Sequence, residues 1–77
     1  MMAKNLKQVA KEISERNGVE YKCVIHMFSL MEHNRKLGTN IQVDDLNQFS
    51  KEWKIPVDKA GLILADCINE ALEGIIS

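Results

Sequence analysis

The sequence predicts an all-α fold of four short helices, arranged as two helix–turn–helix hairpins in a compact bundle. Three observations predict it. Apolar residues recur at three- and four-residue spacing along most of the chain. Turn-forming residues at Asn17-Gly18, Leu37-Gly38-Thr39-Asn40 and Lys54-Ile55-Pro56 divide that pattern into four stretches. A helix–turn–helix pattern, finally, occurs twice.

In the first stretch Leu6, Val9, Ala10 and Ile13 share one face, with Lys, Gln and Glu between them. This is an amphipathic helix over about 4–16, and Asn17-Gly18 suits the left-handed cap that ends it. The second helix runs over about 20–36. Its apolar residues, from Tyr21 and Cys23 to Leu30 and Met31, cover more than half its circumference, so it is expected to be central and packed on more than one side. Ile41-Gln42-Val43 is either a short extended piece or a set of side chains packed ahead of the next helix.

Asp44 and Asp45 favour a helix start by complementing its dipole. Leu46, Phe49 and Trp53 then fall on one face of a third helix, about 44–53. Pro56 suits the first turn of the fourth, about 56–74. That helix carries Val57, Ala60, Ile63, Leu64, Cys67, Ile68, Ala71, Leu72 and Ile75. Gly61 and Ala65, four apart, would permit close approach by another helix.

A chain of 77 residues makes one domain, residues 1–77, and buries only ~60% of its extended-chain surface. Cys23 and Cys67 each sit within an apolar helical pattern, where a reduced cysteine acts as a small buried hydrophobe. The first residues reach a charged amphipathic segment at once, without the apolar stretch of a secretory signal. No apolar run approaches ~18 residues, so no membrane span is expected and the expected setting is cytoplasmic.

The net charge of −1 conceals a division: residues 1–38 carry +3 and residues 39–77 carry −4. Such asymmetry marks either two faces with different partners, association of one half with the other, or chance in a short chain.

A helix–turn–helix needs a small residue in its first helix, a tight turn, and apolar residues at fixed offsets that let the helices share a core. Residues 13–27 supply Ser14, Gly18, Val19, Val24 and Met27 in these places. Thirty-six positions on, residues 49–63 place Ser50, Ile55, Ala60 and Ile63 in the same way, with Lys54 where the turn glycine would stand. Both segments resemble the helix–turn–helix segments of transcription regulators. The resemblance implies a second helix that reads DNA. In the first hairpin the candidate contacts are Tyr21, Lys22 and His26 to bases, with Lys11, Arg16, Arg35 and Lys36 on phosphates. In the second, Val57, Asp58, Lys59 and Leu62 suit protein better than DNA, since Asp58 would meet phosphate.

No cofactor or metal is expected. Cys23, His26 and His33 lie on neighbouring faces of one helix, and Cys67 could approach. His26 and His33, however, stand two turns apart, some 10 Å by helical rise. Catalysis is not expected either: His26 and Cys23 lack an orienting carboxylate, and there is no glycine-rich phosphate loop.

The apolar surplus on the second and fourth helices therefore points to recognition. The leading expectation is a small adaptor or inhibitor acting by protein–protein interaction, its partner a second copy included. Met27, Phe28, Met31, Leu62, Leu72, Ile75 and Ile76 are the candidate interface residues. The alternative is a dimeric DNA-binding helix–turn–helix regulator. A transcription accessory protein with a basic half on nucleic acid and an acidic half on protein would combine the two.

Overall fold

A computed structural model describes residues 5–72, the side chain of Leu72 excepted. The fold is all-α. Helix α1 spans Leu6–Asn17, α2 Tyr21–Leu37, α3 Val43–Trp53 and α4 Val57–Leu72. The helices α1 and α2 pack together, as do α3 and α4, and α4 also packs on α1 and α2. The molecule measures 37 × 30 × 16 Å.

Local chemistry sets the helix ends. Asn5 is the N-cap of α1, and its side-chain oxygen accepts from the Gln8 backbone N–H at 2.8 Å. The expected helix starts two residues before Leu6, at position 4, which lies outside the described residues. At the far end Gly18 is left-handed, with φ +66°, and the N–H of Val19 reaches the Ser14 carbonyl at 3.0 Å. Gly38 ends α2 in the same way, with φ +72° and Thr39 N–H on the Asn34 carbonyl at 2.9 Å.

Ile41 packs on the core and Gln42 is the N-cap of α3, so this linker belongs to the helix entry. Asp45 accepts from the Gln42 backbone N–H at 2.8 Å, an anion placed where the first-turn donors are unpaired. Lys54 closes α3 with φ +54°, taking up a left-handed conformation without a glycine. Pro56 precedes α4 and its carbonyl accepts from Ala60 at 3.2 Å. Positions 73 and 74, expected in this helix, lie outside the described residues.

The core is a contiguous set of side chains from all four helices: Val9, Ala10 and Ile13; Cys23, Val24, Met27 and Phe28; Phe49; and Ala60, Ile63 and Cys67. Residues four apart on α1, α2 and α4 meet there because helical side chains at that spacing share a face.

Two expectations are corrected. A Cβ built on Gly61 would meet nothing within 4 Å, so no helix approaches the Gly61–Ala65 face among the described residues. Met27 is fully buried and is core, not interface.

Candidate protein-binding groove

The apolar surplus of α2 does not vanish into the core. Val24, Met27 and Phe28 are buried, while Ile25, Leu30 and Met31 remain only partly covered. Ile25 and Met31 turn instead toward the open side beside α4. There they meet Leu64, Ile68 and Ala71, and with Leu6, Phe28 and Ile41 they line a groove of about 1300 Å³. Ile68 is 41% exposed on its wall.

The groove's polar rim is largely satisfied within itself. Arg35 clasps Glu32 with two hydrogen bonds, Nε to Oε2 at 3.0 Å and Nη2 to Oε1 at 2.6 Å. The Arg35 hydrogen bond holds the Glu32 carboxyl below the usual carboxylate range, and Glu32 in turn raises Arg35. Asn34 donates to the Leu30 carbonyl at 2.8 Å and accepts from the Thr39 hydroxyl at 2.7 Å. A visitor to this groove meets hydrocarbon flanked by paired polar groups.

The interface candidates fall in different places. Phe28 and Met31 line the groove, whereas Leu62 is 59% exposed and does not line it. The side chain of Leu72, together with Ile75 and Ile76, lies outside the described residues.

The candidate DNA contacts are likewise divided. Lys11, Tyr21, Lys22 and Lys36 are exposed. Arg35 is committed to Glu32, and Arg16 stands 3.4 Å from Asp66 on α4. His26 points at α3: its Nδ1 accepts from Trp53 Nε1 at 2.8 Å and lies 3.5 Å from Glu52 Oε2. Its ring centroid is 5.1 Å from that of Phe49. A base-reading role for His26 would require breaking this arrangement.

Asp66 joins the halves of the chain. Besides Arg16, it accepts from Asn17 Nδ2 at 2.9 Å, and Lys59 Nζ donates to the Asn17 carbonyl at 2.8 Å. Part of the charge division thus expresses itself inside one molecule, at the junction of α1 and α4. This network was not visible in the sequence, because Asn17 and Asp66 are 49 positions apart.

Cys23 and Cys67 are free and buried. Burial pushes the Cys23 thiol up to about 11 and the Cys67 thiol up to about 12, the direction expected when a thiolate would lose its hydration. Neither is a poised nucleophile at neutral pH. Among the described residues no group of three or more His, Cys, Asp or Glu side chains could hold a metal ion. No helix among them is long and apolar enough to cross a membrane.

Comparison with protein-family models, with curated proteins and with solved structures finds no match to this chain.

Proposed function

We propose that the protein is a non-catalytic binding module that seats an amphipathic helix of a partner protein in the groove between α2 and α4. The single observation that carries this reading is the groove itself, walled by Ile25, Phe28, Met31, Ile41, Leu64 and Ile68. Leaving such a surface in water costs about 25 cal/mol for each Å² of apolar area, a cost that a bound helix removes. The occupant is argued from the rim. Glu32 and Arg35 neutralise each other and Asn34 and Thr39 satisfy each other. Fit is therefore decided by aliphatic side chains at helical spacing, the i, i+3, i+4, i+7 pattern of helix-in-groove recognition.

Selection from a displayed library of amphipathic helices tests the reading. Enriched sequences should carry bulky aliphatic residues at that spacing and should lose the protein when Ile68→Asp is introduced. Enrichment of no helix, or of helices indifferent to Ile68→Asp, would overturn it.

A second reading keeps the helix–turn–helix resemblance as a DNA-binding device. It is favoured by Tyr21 and Lys22, exposed at the start of α2, with Lys11 and Lys36 exposed as well. Few cations remain to release counterions, so any duplex binding would be weak and steeply salt-dependent. Sedimentation with mixed-sequence duplex at low salt separates the two: co-sedimentation lost in Lys22→Ala supports DNA, and none at any salt removes it.

A further inference from the structure

We infer that His26 is a protonation-dependent latch that holds α3 by Trp53 when neutral and by Glu52 when charged. The inference is independent of what binds the groove. It rests on one nitrogen with two suitors. Trp53 Nε1 can only donate, so at 2.8 Å from His26 Nδ1 it requires that nitrogen to be unprotonated. Neutral His26 therefore carries its proton on Nε2. Glu52, the residue before Trp53, already places Oε2 at 3.5 Å from the same nitrogen.

Adding a proton to Nδ1 sets two N–H groups against each other. The Trp53 bond must break, and the new N–H finds its acceptor in the Glu52 carboxylate, which needs to move by only a fraction of an ångström to bond well. The exchange moves α3's point of attachment back by one residue, about 100° around its axis. Trp53 is released from the end of α3, beside the left-handed Lys54 that turns the chain into α4.

The charged groups that face the imidazole from α3 are carboxylates. A small cavity beside His26 is walled by Leu30 of α2 and by Asp45, Gln48, Phe49 and Glu52 of α3. Its carboxylates are Glu52 and Asp45, the latter already bonded to the Gln42 N–H. On α2 itself the nearest cation in sequence is Lys22, one turn back and exposed. About a third of the His26 side chain is open to solvent, so a proton can reach it without unfolding. Histidine is the side chain whose ordinary titration falls between pH 5 and 8.

Trp53 is the sole tryptophan, so tryptophan fluorescence reports this residue alone. Lowering pH from 8 to 5 should move its emission to longer wavelength in a single one-proton step. Because the Glu52 bond replaces the Trp53 bond, amide exchange over the same range, corrected for the intrinsic rate, should rise only at the Trp53 end of α3, roughly threefold to tenfold, the worth of the one hydrogen bond that end loses. His26→Gln offers a carbonyl that accepts from the indole at every pH, and should abolish the step. His33→Gln should retain it. In case His26→Gln does not fold, Glu52→Gln provides the second variant and should shift the midpoint to lower pH, because the carboxylate no longer favours the imidazolium. The inference is overturned by an emission that ignores pH, by a step that survives His26→Gln, by a midpoint unmoved in Glu52→Gln, or by a step with α3 exchange unchanged.

Discussion

Gly18 and Lys54, thirty-six positions apart, hold the same left-handed backbone at the same place in two helix ends. Their φ angles are +66° and +54°. Each is followed by the same bond, Val19 N–H to the Ser14 carbonyl and Ile55 N–H to the Ser50 carbonyl, at 3.0 and 3.1 Å. Glycine reaches this conformation without penalty, whereas a residue with a Cβ bears roughly 1–2 kcal/mol of steric strain. Lys54→Gly should therefore stabilise the protein by about 1 kcal/mol, net of the extra freedom glycine gains when unfolded. Gly18→Ala should destabilise by a similar amount, about 1 kcal/mol, through the backbone alone, since nothing lies within 4 Å of the added Cβ. Urea midpoints at constant slope check both; a destabilised Lys54→Gly would refute the assignment.

Phe49 is the only fully buried side chain α3 gives the core. Truncating a buried phenylalanine to alanine costs about 3–5 kcal/mol, a large part of what a domain this small has to spare. Phe49→Ala should leave the protein largely unfolded at 37 °C by circular dichroism. Ile63→Val, which removes one buried methylene, should cost only about 1 kcal/mol and leave the fold intact.

The thiols make two forecasts. At pH 8 Cys23 and Cys67 should react with a disulfide reagent far more slowly than a free thiol, at a rate set by opening of the fold. Their folded values, about 11 and about 12, lie above the ordinary 9.0. In the unfolded chain the thiols therefore ionise first, and that state binds fewer protons. Stability is unaffected by the thiols below pH 9 and falls as pH rises from there toward 11–12. Chemical unfolding at pH 8 and 10 should show a smaller loss for Cys67→Ala than for the parent; equal losses would contradict the buried, protonated thiol.

Asp66 should matter more than the arginine it faces. Arg16 is 53% exposed, so its 3.4 Å pairing is screened by water and worth at most about 1 kcal/mol. Asp66 also binds the Asn17 amide, at a partly buried site. Asp66→Ala should therefore destabilise more than Arg16→Ala in thermal melts, and the reverse order would show that the network is surface decoration.

The helices are legible in the sequence because each carries its own punctuation: Gly18 and Gly38 supply left-handed caps, and Asp44 and Asp45 mark the entry to α3. What spacing cannot convey is depth. Met27 and Met31 are four apart on one stripe of α2, yet the first is core and the second lines the groove. The difference is one of packing, which spacing along a helix does not convey. Gly61 illustrates the same limit, since a small residue permits close approach without supplying a helix to make it. The His26–Trp53 bond, 27 positions long, required knowing which face α3 turns toward α2.

The most direct test of the groove is to measure the affinity of one selected helix for the parent protein and for two surface variants. Ile68→Asp puts a charge on the groove wall, and Leu62→Asp puts the same charge on an exposed site outside it. Both should retain the parent's circular dichroism. Ile68→Asp should weaken binding roughly thirtyfold, the about 2 kcal/mol of an interface hot spot, while Leu62→Asp should leave it unchanged. Equal affinities across all three proteins, or a loss confined to Leu62→Asp, would contradict the groove as the binding site.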